Sequence, residues 1–123
     1  MKAIQMAQQG GPEVLQLVEL RDPQPGSGEV LIKVDAAAVN FSDVTRRRGD
    51  VYAVPTPVPF APGAEVAGTV AALGEGVDGI AVGAPVFGIV GPNGSGGYAE
   101  YALATPRISS PSQTGWPATP QPG

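Results

Sequence analysis

Glycine and proline occur so often in this chain that few kinds of fold can accommodate it. Of the 123 residues, 18 are glycine and 14 are proline. Helix-rich domains contain few of either, because glycine costs backbone entropy in a helix and proline lacks the N–H group. Short strands joined by tight turns use both residues readily. The sequence therefore predicts a mainly β fold, and its length suits one domain with one core.

The clearest strand lies near the middle of the chain, between a Pro-Gly turn signal at 62–63 and a glycine-rich segment at 74–79. From 66 to 72 the residues alternate in the manner of a strand with two different faces. Glu65 stands at the entrance of this strand, and Gly68 leaves room for another chain or a ligand to come close. One face is expected to carry Val66, Gly68, Val70 and Ala72.

The rest of the chain predicts further strands and one short helix. The strands are expected at 1–6, 14–20, 29–39, 86–90 and 98–103. In the third segment one face should carry Val30, Ile32, Val34 and Ala36. Asn40 or Ser42 would cap a helix that ends at Gly49, with Asp43 in its first turn. The arginines at 46–48 would complement the helix end and remain in solvent.

Charge and composition exclude several classes of function. The net charge of −4 argues against nucleic acid as a partner, because phosphate binding needs a basic face. No apolar run reaches the roughly 20 residues of a membrane helix. The chain has no histidine and no cysteine, so it offers no imidazole base, thiol nucleophile or thiolate metal site. No signal-peptide core begins the chain, which makes the cytoplasm the default location.

One apparent dinucleotide fingerprint fails on its context. Residues 74–79 match the pattern G-x-G-x-x-G, and Glu100 follows about twenty residues later. The fingerprint requires a helix directly after the glycines, because the N-terminus of that helix holds the pyrophosphate. The segment 80–86 is too short and too interrupted for such a helix. We therefore interpret these glycines as a turn between strands.

Five short motifs occur in a characteristic order: GGPEVL at 10–15, GEVLIKV at 28–34, AVNFSD at 38–43, PGAEVAG at 62–68 and GGYAEY at 96–101. In this order and spacing the sequence resembles the zinc-independent quinone oxidoreductases of the medium-chain dehydrogenase/reductase superfamily. The resemblance covers residues 1–104 and implies a GroES-like, partly open β-barrel with one or two short helices. Residues 105–123 are expected to form an irregular tail rich in Pro, Ser and Thr.

Two positions separate this chain from the zinc-dependent branch of the superfamily. By the resemblance, Asn40 stands where that branch has a cysteine ligand, and Ala64 stands where it has a histidine ligand. Neither side chain is a usual zinc ligand. Without a Lewis acid, alcohol oxidation is disfavoured, whereas a quinone or an activated enone accepts hydride readily. The resemblance thus implies an NADPH-dependent reductase of small-molecule quinones or enones.

The resemblance also implies roles for particular residues. Asn40 would be the catalytic-site residue beside nicotinamide and substrate, although its side chain could equally serve as the helix cap. Asn40 and Phe41 would contact the cofactor, and Phe41, Tyr52 and Glu65 would line the substrate pocket. Ordinary packing remains an alternative for the two aromatic residues. Asp43 and Glu65 would hold the shape of the cleft by hydrogen bonds, because the cofactor carries the chemistry.

The resemblance ends near residue 104, where the family would continue into a Rossmann domain. We expect a truncated or frame-shifted product, or an excised catalytic domain with an unrelated tail. Without the Rossmann domain, it should bind NADPH weakly or not at all. Its uncovered interdomain face and strand edges would favour self-association, for example as a homodimer. The alternative hypothesis is a stand-alone GroES-like barrel that acts as a binding or oligomerisation module.

Overall fold

The structure, a computed structural model, describes residues 1–109 and confirms the mainly β architecture. Its strands are β1 Lys2–Gln5, β2 Gln16–Glu19, β3 Val30–Ala38, β4 Glu65–Leu73, β5 Pro85–Ile89 and β6 Tyr101–Ala104. A 3-10 turn spans Pro12–Val14, and the helix α1 spans Phe41–Arg48. The predicted domain division at residue 104 stays a prediction, and residues 110–123 of the expected tail lie outside the described part.

The strands form two sheets that do not close on one another. Strands β1 and β2 pair antiparallel, and a larger sheet has the order β5-β4-β3-β6. Every strand pair in the larger sheet is antiparallel, so residues 1–109 contain no parallel crossover of the Rossmann type. An isolated bridge between Ala3 and Ala99 links the small sheet to the chain just before β6. This open arrangement leaves β5 and β6 at the edges of the larger sheet.

The core lies on the face of the larger sheet that the alternating pattern predicted. Val66, Gly68 and Val70 are buried on β4, and Val30 and Ile32 are buried on β3. The expectation that Ala36 shares a face with Val30 and Ile32 is wrong, because the pairing of β3 with β4 shifts register between Val34 and Ala36. Such a bulge inserts an extra residue and reverses the face that later residues occupy. Ala36 is consequently exposed.

Gly68 shows why β4 and β3 can approach so closely. A Cβ atom at this position would lie 2.0 Å from the carbonyl oxygen of Lys33 and 3.0 Å from Cγ2 of Ile32. The distance to the Lys33 carbonyl oxygen is far shorter than a carbon atom tolerates, and that oxygen belongs to the backbone, so only glycine fits without displacing the neighbouring strand. Gly68 is expected to leave room for another chain or a ligand to come close. In the structure, strand β3 of the same chain takes this room.

Several expected boundaries differ because turns occupy the ends of the predicted strands. The strand expected at 14–20 begins only at Gln16, since the 3-10 turn takes up Val14. The glycine-rich segment at 74–79 joins β4 to β5 without a helix, as expected. Beyond β6, Ile108 is buried and Ser109 exchanges backbone hydrogen bonds with Phe87. No helix in residues 1–109 is long and apolar enough to cross a membrane.

Candidate functional site

Helix α1 begins at the motif that the sequence singled out. Asn40 has the extended backbone of an N-cap residue, and its N–H donates to Oδ2 of Asp43 at 3.0 Å as part of a capping box. The helix ends at Gly49, whose φ of 87° is left-handed and whose N–H donates to the carbonyl of Thr45. The predicted cap, first-turn acid and glycine stop are confirmed.

Strand pairing brings Asn40 and Glu65 together, although 25 positions separate them. Ala38 at the end of β3 pairs with Glu65 at the start of β4, so residues just beyond Ala38 pass beside the mouth of β4. There Nδ2 of Asn40 donates to Oε1 of Glu65 at 2.8 Å. Glu65 thus holds the side-chain carboxamide of Asn40 in place, while the carboxylate of Asp43 holds the backbone N–H of Asn40.

This pair lies in the wall of an open pocket of about 570 Å³. The walls come from the start of α1, the segment after it, the mouth of β4 and the loop after β5. The lining residues are Asn40, Ser42, Tyr52, Ala53, Val54, Ala64, Glu65, Ile89, Gly91, Asn93 and Gly94. Three of the four expected site residues, Asn40, Tyr52 and Glu65, thus share one pocket. Phe41 is not among its lining residues, and its side chain is 81% exposed.

Behind the pocket, Asp43 is buried and accepts several hydrogen bonds. Its carboxylate accepts the hydroxyl of Tyr98 at 2.7 Å and the N–H of Gly63 at 3.3 Å, besides the N–H of Asn40. Burial of the phenol, and then its bond to Asp43, raise the pKa of Tyr98 above its usual range. Asp43 therefore ties the helix start to the turn before β4 and to the segment before β6.

The expectation that all three arginines stay in solvent is wrong for Arg46, whose exposed fraction is 3%. Its Nε donates to Oγ1 of Thr56 at 2.9 Å, and its Nη atoms donate to the carbonyls of Asn93 and Pro55 at 2.7 and 3.0 Å. The guanidinium carbon also lies 4.9 Å from the ring centre of Tyr52 and 4.4 Å from that of Phe60.

Sequence reasoning missed Arg46 because three consecutive arginines do not indicate which side chain turns inward. One available clue was its spacing of three from Asp43, since residues three apart share a helix face. The neighbouring Arg47 is half-buried and donates to the carbonyl of Gly10 at 2.6 Å. Arg48 is exposed and lies 3.5 Å from Oδ2 of Asp50, so the prediction holds for this arginine.

A zinc ion at this pocket would lack its usual cysteine and histidine ligands. Zinc sites in proteins use cysteine, histidine or carboxylate ligands, usually three or four together. The complete sequence has no cysteine or histidine, and residues 1–109 contain no cluster of three side chains able to hold a metal. The polar side chains in the pocket wall are those of Asn40, Ser42, Tyr52, Glu65 and Asn93.

The open antiparallel sheet, the short capped helix and the pocket at the mouth of β4 occur together in a domain of a known family. The family model "Alcohol dehydrogenase GroES-like domain" matches residues 26–112, and the chain belongs to this family. The expected resemblance to quinone oxidoreductases is confirmed by relatives and by solved structures. The GroES-like interpretation of the fold is confirmed with it.

Among the relatives, a quinone oxidoreductase of Lama guanicoe is 45% identical over 105 residues, which are 85% of this chain and 31% of that protein. The structure of the quinone oxidoreductase from Coxiella burnetii gives a TM-score of 0.83 at 37% identity, covering 89% of this chain and 36% of that one. The Escherichia coli quinone oxidoreductase complexed with NADPH gives 0.79 at 30% identity, covering 89% and 33%. The chain thus spans about a third of the length of its curated relatives.

Proposed function

We propose that this chain is the substrate-side domain of an NADPH-dependent reductase of quinones or activated enones, which transfers hydride without zinc. The observation that carries the proposal is the Asn40–Glu65 hydrogen bond of 2.8 Å in the wall of the open pocket. The relatives support it, because they are quinone oxidoreductases and two of the similar solved structures are complexes with NADPH.

Asn40 would orient the acceptor in this pocket. Its amide nitrogen carries two hydrogens, and Glu65 accepts one of them. The second hydrogen is then available to a carbonyl oxygen of the substrate, which gains negative charge when hydride arrives. A hydrogen-bond donor that is already fixed by the protein stabilises such charge without reorganising. Glu65 would hold the donor in place, and Tyr52 would supply an aromatic wall.

The absence of usual zinc ligands favours a quinone or enone over an alcohol. A metal would polarise an alcohol by acting as a Lewis acid. The sequence supplies alanine at 64 and asparagine at 40 instead of metal ligands. Bound NADPH would supply the hydride, and this chain would contribute one side of the cleft through Asn40 and Phe41. Phe41 is exposed beside Asn40, as a residue that meets a cofactor or second domain would be.

The first test is an NADPH titration of the purified chain, monitored by the fluorescence of the cofactor. We expect no binding tighter than millimolar, because a dinucleotide is held mainly by a Rossmann domain. Micromolar binding would show that the chain holds the cofactor by itself and would contradict its role as one side of a cleft.

The second test replaces the equivalent segment of the Escherichia coli quinone oxidoreductase by residues 1–104 of this chain. We expect NADPH-dependent quinone reduction by the chimaera, and a loss of roughly 100-fold in kcat on Asn40→Ala, since a fixed donor is removed. Asp50→Asn is the control, because Asp50 is exposed and is not among the residues lining the pocket. A folded, NADPH-binding chimaera without quinone reduction would refute the proposed substrate class.

A second candidate function is a binding or oligomerisation module. Exposed apolar side chains next to or within the pocket favour it: Val39, Phe41, Val51 and Ile89. Exposed apolar groups of this kind mark surfaces that pack against another chain. A dimer alone does not separate the two candidates, because an uncovered interdomain face would also self-associate. The chimaera separates them: quinone reduction supports the substrate-side domain, whereas a folded but inactive chimaera together with a stable dimer of this chain that Phe41→Ser dissociates supports the module.

A further inference from the structure

Arg46 has no place in the chemistry proposed above, yet it joins two of the segments that line the pocket. One segment contributes Tyr52, Ala53 and Val54, and the loop after β5 contributes Gly91, Asn93 and Gly94. Arg46 stacks against Tyr52 and donates to the carbonyl of Asn93. We propose that Arg46 is a positioning residue that sets the distance between these two walls, and with it the breadth of quinone that the pocket accepts.

The segment from 51 to 59 depends on this side chain for its place. Among the described residues, no backbone N–H or carbonyl in this segment bonds to another backbone group. It contains three prolines, which have no N–H to donate. The carbonyl of Pro55 and the hydroxyl of Thr56 instead accept hydrogen bonds from Arg46. One side chain of α1 thus does for this wall what a sheet ladder does for a strand.

The same guanidinium holds the loop after β5, on the opposite side of the pocket. Nη1 of Arg46 donates to the carbonyl oxygen of Asn93 at 2.7 Å. Arg46 also lines a second cavity of about 360 Å³, which shares Gly91 and Asn93 with the pocket. The side chain therefore lies where the pocket and this cavity adjoin. If it were shortened, both walls would lose their common support, and the pocket would become wider.

The partners of Arg46 suit a spacer better than an ion pair. In residues 1–109 it forms no salt bridge, and its contacts are carbonyls, a hydroxyl and aromatic rings. A planar fork of donors reaches several fixed acceptors at once, which the single ammonium group of lysine does not. The geometry of the guanidinium is thus needed here, beyond its charge.

The experiment uses the 123-residue chain, with Arg46→Met as the main variant and Arg46→Lys as the conservative one. Arg48→Met is the matched control, because Arg48 lies on the same helix but is exposed. Backbone NMR relaxation reports the order of residues 51–56 and 91–96, which amide exchange would not do for 51–56 because their N–H groups have no backbone acceptor among the described residues. Shifts of the Asn40 and Glu65 amide resonances report binding of duroquinone, which has one ring, and of 9,10-phenanthrenequinone, which has three.

We expect larger backbone motions in both segments in the Arg46→Met variant and little change in the control. The affinity ratio should move by roughly tenfold toward the wider quinone, with Arg46→Lys between the two. A residue that only stabilises the fold would weaken both quinones equally and leave the ratio unchanged. An unchanged ratio, or unchanged backbone motions in a folded variant, overturns the inference. If Arg46→Met fails to fold, the same criteria apply to Arg46→Lys.

The breadth of the pocket rests on the proposed function, whereas the support of the two walls does not. If the wild-type chain binds neither quinone, the selectivity part of this inference fails, whereas the proposed substrate class is decided by the chimaera. The relaxation measurement then still decides whether Arg46 holds the walls. If the wild type binds both quinones and the variants show no change in ratio, only the inference about Arg46 fails.

Discussion

In the larger sheet the buried side chains are apolar, whereas the buried side chains of helix α1 are those of Asp43 and Arg46. The sheet packs Val30, Ile32 and Val70 with almost no exposed surface. Asp43 and Arg46 are only 7% and 3% exposed, yet both carry charge and satisfy it with hydrogen bonds. Residues 1–109 contain no buried side-chain nitrogen or oxygen that lacks a hydrogen-bond partner.

The two regions are stabilised by interactions of different kinds. Apolar burial contributes free energy in proportion to area and imposes little direction on the atoms involved. A buried charged group contributes only when donors and acceptors meet at the correct distances, and it is costly otherwise. The sheet therefore provides stability, while the polar region fixes particular loops around the pocket. The predictions below test this division of roles.

The largest expected effect is in the sheet. Ile32→Ala removes a fully buried side chain and should lower the free energy of unfolding by about 4 kcal/mol, because a cavity remains. Urea denaturation followed by circular dichroism measures it. Leu17→Ala is the control, since Leu17 is 68% exposed and its truncation should cost less than about 0.5 kcal/mol. Equal losses in the two variants would show that the sheet is not the stabilising core.

The second effect concerns the buried carboxylate. Asp43→Ala leaves the hydroxyl of Tyr98 and the N–H groups of Asn40 and Gly63 without their acceptor. We expect a loss of about 3 kcal/mol in the same urea assay. Asp50→Ala, which removes an exposed carboxylate, should cost less than about 0.5 kcal/mol. If the free energy of unfolding of Asp43→Ala equals that of the control, the polar network does not hold this region.

The third effect is smaller and depends on pH. Tyr98→Phe removes one donor to Asp43 and should cost about 1.5 kcal/mol at pH 7. In the folded protein the pKa of Tyr98 is raised by burial and by Asp43, so above about pH 10 the unfolded chain releases this proton first. The stability advantage of the wild type over the variant should therefore shrink as the pH rises past 10.

Tyr101→Phe is the control for this measurement, because the hydroxyl of Tyr101 makes no hydrogen bond among the described residues. Its stability should follow that of the wild type within about 0.5 kcal/mol at pH 7. An advantage over Tyr98→Phe that stays constant between pH 9 and pH 11 would contradict the raised pKa.

The sheet could be predicted because its information is local. Alternation along 66–72 identifies the buried face of β4, and the glycine and proline turns mark its ends. The failure at Ala36 has an equally local cause, since the bulge depends on how β3 pairs with β4 and leaves no mark in the pattern. Both ends of helix α1 were predictable for the same reason. The capping hydrogen bonds of Asn40 and Asp43 at its start and of Gly49 at its end join residues only a few positions apart along the helix.

The site could be predicted only in part because its contacts are distant in sequence. The meeting of Asn40 with Glu65 follows from strand register, which residue spacing does not supply. The motif order pointed to both residues through a resemblance and gave no geometry. Arg46 was misjudged because its partners, Thr56 and Asn93, lie in loops whose paths no periodicity describes. Buried polar groups are chosen by such paths, so they are the hardest residues to assign.

The smallest expected effect is at the pocket itself. Glu65 is exposed, and its bond to Asn40 is exposed as well, so Glu65→Ala should change the free energy of unfolding by less than about 0.5 kcal/mol. The side-chain amide resonances of Asn40 should nevertheless shift and broaden, because the carboxamide loses its acceptor. Glu65→Gln, which retains a carbonyl oxygen, should restore most of the sharpness. A stability loss above about 1.5 kcal/mol would instead assign the pair to the structural network of Asp43.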